Sequence, residues 1–288
     1  MQYKISNDFI EASIKDFGAE LCSLKKKNDD LEYIWQGDEK YWNRHAPILF
    51  PIVGKFLDNE YIYKEKTYSM GQHGFARDSL FEIFEQKDDY ICFKFEDNKE
   101  TFKKYPFKFE LFLAYKLIRN SLEVSYKVVN KTNDKMFFSI GAHTAFNWPL
   151  EAKNKEEYYF EFKDTKELER LPLMAEGISN NKNIMALEDS KLSLSEELFK
   201  DDALVIENLE NKTISFKNKK DNRTISKEFK GFPYLGLWSK PSGAPFICIE
   251  PWHGIADFIG HNKKLEEKNG IISLEKNEIF ESSFIISI

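Results

Sequence analysis

Between Phe107 and Val128 the chain spells out a long antiparallel hairpin. Phe107, Phe109, Leu111, Leu113, Tyr115 and Leu117 hold every second position, and Leu122, Val124, Tyr126 and Val128 do so on the return, with Arg119-Asn120-Ser121 as the turn between. Successive side chains of a strand point to opposite faces, so each half offers one apolar face for burial. Two strands of about ten residues each need a larger sheet to cover that face, because an isolated hairpin is marginal in water.

Similar signals run from end to end. Leu31 to Trp35, Ile91 to Glu96, Met136 to Ile140, Ala203 to Ile206, Thr213 to Phe216, Thr224 to Phe229, Tyr234 to Trp238, Phe246 to Ile249 and Ile279 to Ile288 all read as strands. The basic run Lys25 to Lys27, followed by Asn28-Asp29-Asp30, predicts a solvated turn. Twenty-six Phe and thirteen Tyr suit half-buried pleated surfaces. Helical signals are brief: Asn98 to Tyr105 before Pro106, and a capping box, Ser193-Leu194-Ser195-Glu196, opening a short helix through Phe199. No linker, repeat or low-complexity tract interrupts the pattern, which predicts one all-β domain spanning residues 1–288.

Composition removes several functional classes. A net charge of −6 without a basic stripe lacks the footprint expected for nucleic acid. Cys22, Cys92 and Cys248 are odd in number and far apart, which argues against a disulfide framework and a thiolate zinc site and fits a reducing cytoplasm. No signal peptide and no apolar run of about 18 residues is present, so the expectation is a soluble, cytoplasmic protein without membrane association. With no phosphate-cradling glycine loop, dinucleotide fingerprint or nucleophile elbow, no cofactor is expected.

Four stretches concentrate chemistry. In Phe246-Ile247-Cys248-Ile249-Glu250-Pro251-Trp252-His253 an apolar strand runs into a carboxylate. Glu250 either lies at the floor of a cavity, where burial raises its pKa toward that of a usable acid or base, or turns outward where Pro251 stops the ladder. In Gly71-Gln72-His73-Gly74-Phe75-Ala76-Arg77-Asp78 two glycines allow tight turns on both sides of His73, which is a presented imidazole or a hydrogen-bonded loop residue. His143 stands past a strand end in Gly141-Ala142-His143-Thr144. Tyr41-Trp42-Asn43-Arg44-His45-Ala46-Pro47-Ile48-Leu49-Phe50-Pro51-Ile52-Val53-Gly54-Lys55 is aromatic-rich, and its two prolines rule out a continuous helix and demote any strand to an edge or bulge.

Together with Asp202-Ala203-Leu204 and Cys248 to Trp252, these motifs resemble, in order and over nearly the whole chain, the aldose 1-epimerase (galactose mutarotase) superfamily, most closely its LacX-type branch. The resemblance implies a galactose mutarotase-like β-sandwich (supersandwich) of many antiparallel strands with an open sugar-binding cleft. It implies an isomerase acting on a small monosaccharide, a hexose or hexose phosphate, as a monomer or homodimer. Carried over by position, the catalytic base falls on Glu250, the acid on His143 and the second cleft histidine on His73. Asp202 matches the family's substrate-hydroxyl carboxylate, although the usual Asp-His pair here reads Asp202-Ala203. Arg77 matches the arginine of a His-Gly-x-Ala-Arg segment found in the sugar-phosphate epimerase branch, and Arg44 is placed approximately as a second substrate-binding arginine.

The residue types suit that chemistry. Interconverting anomers requires removal of the C1 hydroxyl proton and protonation of the ring oxygen, then rotation about C1–C2 and reclosure. A carboxylate and an imidazole on opposite sides of the ring can perform both transfers without a metal. Rival readings are a hexose-6-phosphate 1-epimerase, a non-catalytic carbohydrate binder with Trp148, Trp238 and Trp252 stacking on the sugar, a glycosidase pairing Glu250 with Asp202 or Asp257, and a metal held by His45, His73, His143 and Glu250. Only five of the 42 basic residues are arginines, namely Arg44, Arg77, Arg119, Arg170 and Arg223, and two of these fall in the motifs. A planar guanidinium there can fix hydroxyls or a 6-phosphate, with free hydroxyls preferred, or it can brace the loop through Asp78.

Overall fold

The hairpin forms as its pattern requires. In a computed structural model describing residues 1–29, 31–150, 154–220 and 223–288, Phe109–Ile118 and Ser121–Asn130 pair antiparallel, with Leu117 opposite Leu122 and Tyr115 opposite Val124. The hairpin sits within a nine-stranded antiparallel sheet. From one edge this sheet runs Lys191–Ser193, Tyr158–Phe162, Thr213–Asn218, Thr224–Glu228, Ile279–Ser287, the two hairpin strands, Tyr90–Glu96 and Glu82–Gln86. The C-terminal strand therefore inserts in the middle of the sheet.

An eight-stranded sheet faces it. Its order is Asn183–Ala186, Glu167–Leu171, Leu204–Glu207, Tyr234–Trp238, Phe246–His253, Ile140–Ala142 and the two-residue edge strand Ile48–Leu49, with Thr144–Asn147 also pairing to Phe246–His253. Leu113, Val124, Phe284 and Ile286 from the first sheet share one core with Phe146, Leu237, Ile247 and Ile249 from the second. Aromatic rings fill it edge to face, as where Phe50 meets Phe109 at 5.0 Å between centroids. Each buried Phe contributes about 1.5–3 kcal/mol of transfer free energy, which is why an aromatic-rich chain can stabilise so broad a sandwich.

Several expectations are corrected. Pro251 does not stop its strand, which continues to His253 with Pro251 opposite Leu235. Leu31 to Trp35 forms only isolated bridges, because the Glu32 carboxylate takes the backbone N–H groups of Leu24 and Ile34 that a ladder would use. Ser193 is drawn into a strand opposite Tyr159, so no capping box forms, and the helical turn shrinks to the 3-10 segment Glu196–Phe199 without a side-chain cap. The Met136 to Ile140 run splits at Ser139, whose N–H is diverted to the Pro51 carbonyl at 2.7 Å. In the basic turn that follows the strand Glu20–Lys26, Asp30 lies outside the described residues.

Two glycines shape the cleft floor. Gly236 and Gly141 sit on the strands either side of Phe246–His253, and the Trp252 indole lies across both. A Cβ on Gly236 would come within 2.4 Å of the indole ring. Gly236→Val is therefore expected to displace Trp252, destabilise the fold by about 1–3 kcal/mol and shift tryptophan emission; a variant with unchanged melting and emission would contradict this packing.

Candidate active site

The strand Phe246–His253 alternates between two buried environments. Ile247 and Ile249 enter the core shared by both sheets, while Cys248, Glu250 and Trp252 face the other way. Gly141 pairs with Trp252 and Thr144 with Ile249, so carrying that register through places His143 directly opposite Glu250. The ladder is interrupted there because Pro251, the neighbour of Glu250, has no N–H to give the Ala142 carbonyl, which accepts the Trp252 indole N–H instead, at 3.1 Å. Two groups that look like separate strand ends in the sequence are thus cross-strand neighbours on one face. His143 Nε2 stands 3.4 Å from Glu250 Oε2.

Both lie at the floor of an open cleft of about 640 Å³, a size ordinary for small-molecule sites. Glu250 is only 1% exposed, and neither of its carboxyl oxygens has a hydrogen-bond partner; His143 Nδ1 has none either. Burial pushes the Glu250 carboxyl well above the usual carboxylate range, with the Lys227 ammonium opposing and the Asp202 charge adding to the rise. Burial, together with the Arg77 charge, pulls His143 down to about 3. The pair therefore shares one proton, held on Glu250, with a neutral imidazole beside it.

His73 approaches from the loop after Tyr68. It adopts φ +65°, followed by Gly74 at φ +72°, where a Cβ would meet the Phe50 carbonyl oxygen at 2.2 Å. The left-handed turn is thus made by His73 and Gly74 themselves, and Gly71, expected to supply a turn, does not have positive φ. The Gly54 N–H donates to His73 Nδ1 at 3.1 Å, so the neutral ring carries its proton on Nε2 as a donor. Burial holds this ring well below the usual histidine range, and the His143 ring lies edge-on to it at 5.6 Å. Trp42 and Trp238 flank His143 at 4.9 and 5.6 Å between centroids.

Arg77 and Asp202 also line the wall. Asp202 is exposed on it with φ +86° and accepts the Ala203 N–H at 2.7 Å. Arg77 donates to the Gln72 carbonyl at 2.7 Å and lies 3.8 Å from Asp78, whereas Arg44 does not line the cleft and binds Asp78 at 2.8 Å. Arg44 is thus a brace behind Arg77, because its fork is already engaged by Asp78. Lys55, Lys200 and Trp42 also line the cleft, and sequence reasoning does not single them out. Lysines are so frequent in this chain that neither position stands out, although Trp42 and Lys55 both fall within the aromatic-rich stretch Tyr41 to Lys55.

Other candidates fall elsewhere. Trp148 is fully buried, with its indole N–H on the Lys155 carbonyl, and so is no sugar platform. Asp257 is absent from the cleft wall; its carboxylate holds the buried Lys268 ammonium at 2.7 Å and the Leu57 N–H at 3.0 Å. His45 pairs with Glu20, 3.4 Å away, and does not join the other histidines. The ligand-type atoms that do converge, within 4.8 Å among the described residues, belong to His143, Cys248 and Glu250, and burial keeps the Cys248 thiol protonated. All three cysteines are buried and unpaired. Among the described residues, no helix is long and apolar enough to cross a membrane.

The fold is a broad antiparallel sandwich holding a carboxylate and two imidazoles in an open cleft, and comparison with known proteins gives it a family. The family model described as Aldose 1-epimerase matches residues 1–273, and the chain belongs to that family, isomerases acting on carbohydrates. Among its relatives is the plasmid-borne Protein LacX of Lactococcus lactis subsp. lactis, 32% identical over 298 aligned positions covering 100% of this chain and 99% of that one. Solved structures include a galactose mutarotase related enzyme from Lactobacillus acidophilus, with 40% identity and a TM-score of 0.96 over 100% of this chain and 97% of the other. A galactose mutarotase-like protein from Lactobacillus casei has 32% identity and a TM-score of 0.92, over 100% and 99%.

Proposed function

We propose that the chain interconverts the α and β anomers of a hexose, with Glu250 as base and His143 as acid. The observation that carries this reading is a buried carboxyl with no hydrogen-bond partner, 3.4 Å from an imidazole at the floor of a cleft. That separation leaves no room for a sugar ring between the two groups, so the expected arrangement on opposite sides of the ring is replaced by one in which both address the same edge. The C1 hydroxyl and the ring oxygen are both bonded to C1, and adjacent groups can reach both.

Sugar hydroxyls entering the cleft supply the hydrogen bonds that the carboxylate lacks, which favours its ionised form and moves the shared proton to His143. Glu250 then takes the C1 hydroxyl proton while His143 protonates the ring oxygen, and the C1–O5 bond breaks to give the aldehyde. Rotation about C1–C2 presents the other carbonyl face. Reclosure returns the O5 proton to His143 and the Glu250 proton to O1. With the ring open the pair is protonated Glu250 and neutral His143, the state burial favours, so the cleft's electrostatics lean toward the open-chain intermediate. His73 Nε2, Arg77 and Asp202 bind the remaining oxygens.

A hexose 6-phosphate is the second reading, favoured by Lys55 and Lys200 lining the cleft with Arg77. Anomer exchange measured by NMR on free aldoses and their 6-phosphates tests both. No acceleration on any of them would reject the proposed activity. With Arg77→Lys, equal losses on both classes support hydroxyl binding, whereas a selective loss of about tenfold or more on the phosphates supports a phosphate contact.

A further inference from the structure

Lys227 is a lysine on the inward face of a core strand. It belongs to Thr224–Glu228 of the nine-stranded sheet, where Ile225 and Lys227 are both fully buried. Its ammonium crosses the sandwich to the opposite sheet, donating to the Ile249 carbonyl at 2.7 Å and to Thr144 Oγ1 at 2.9 Å. Those partners are themselves opposite one another in the ladder. Ile249 immediately precedes Glu250, and Thr144 immediately follows His143.

We propose that Lys227 is the positioning residue of the acid–base pair, one buried amine clamping together the two strands at the register step next to Glu250 and His143. This rests on the assignment of those two residues in the proposed function. The ladder is interrupted at His143, so the clamp supplies cross-strand restraint where backbone pairing is lost. The Phe284 ring at 4.3 Å and the Phe146 ring at 5.9 Å shield the ammonium, and the titratable groups that feel its charge, Glu250, Cys248 and His143, lie across the strands on their other face. Glu228, next to it on its own strand, is exposed.

Burying an ammonium is costly, and burial pulls Lys227 down to about 7, with the Glu250 charge opposing. A methionine would fill the same space without that cost, so the amine is not explained by packing. Its charge also acts on both members of the pair: a nearby cation lowers the pKa of a carboxyl and of an imidazole alike. Removing it moves the acid limb of the pH–rate profile to higher pH, an effect that fades above about 7, where the amine itself loses its proton.

Lys227→Met is expected to lower kcat by about a hundredfold at nearly unchanged KM, because small misplacements of reacting groups have effects of that size. The acid limb should rise by about one unit. Wild-type kcat with an unmoved acid limb would overturn the proposal, as would a loss of kcat without any pH shift, which a purely structural role would give. If Lys227→Met does not fold, Thr144→Val removes one anchor in its place: a lower kcat at constant KM supports the clamp and an unchanged kcat rejects it. Glu250→Gln run alongside separates the two levels, since an active Glu250→Gln would refute the acid–base assignment itself, whatever Lys227 does.

Discussion

Glu250→Gln is expected to lower kcat for anomerisation by about a thousandfold while leaving KM nearly unchanged, because the amide keeps the shape of the carboxyl and loses its proton-accepting role. Polarimetry or NMR exchange on the best sugar measures it, and a wild-type rate would remove Glu250 from the mechanism. The same variant should be more stable than wild type at neutral and alkaline pH. Burial raises the folded-state pKa of Glu250, so its contribution to stability is present below the unfolded carboxyl value and is lost as pH rises through the folded one. Replacing the group abolishes that loss, and the difference in melting temperature should shrink toward about pH 4, the range of an unfolded carboxyl. The pairing of lost activity with gained stability is what a strained, functional carboxyl produces.

Asp257→Asn is expected to do the reverse. It should destabilise the fold by about 3–5 kcal/mol, lowering the melting midpoint by about 10 °C, because the Lys268 ammonium is left buried without its counter-charge. The folded enzyme should keep near wild-type kcat, since the carboxylate faces Lys268 and Leu57 and not the cleft. Adding Lys268→Met should recover much of the loss in thermal melts. A large fall in kcat with an unchanged melting point would reinstate Asp257 as a catalytic candidate.

The corrections share a cause. Period-two alternation from Phe107 to Val128 depends only on which face of a strand is apolar, and the ladder reproduces it pair by pair. The same rule applied to Leu31 to Trp35 fails because a side chain, Glu32, competes for the backbone. It fails differently at Glu250, where Pro251 reads equally well as a stop. A proline breaks only the ladder bond its missing N–H would make, and here the Trp252 indole takes that place at the Ala142 carbonyl while the strand pairs on to His253.

Lys227 is legible in outline, since Ile225, Lys227 and Phe229 share a face and a lysine on an apolar face is anomalous. What it reaches is not, because Thr144 and Ile249 are distant in sequence and belong to another sheet. The same holds for Arg44 and Arg77, which sit in comparable motifs yet divide into a brace and a wall residue through the single carboxylate of Asp78.

By itself the sequence determined the antiparallel β class and most strand positions, because local periodicity is written residue by residue, and it brought forward Glu250, His143, His73, Arg77 and Asp202 as candidates through the resemblance of their ordered motifs to the aldose 1-epimerases. Only the tertiary structure decided that His143 stands across the ladder from Glu250, that Asp257 turns to Lys268 and that Lys227 ties the two strands together. Those relations are set by strand register and by which sheet faces which, and both come from packing between segments far apart in the chain.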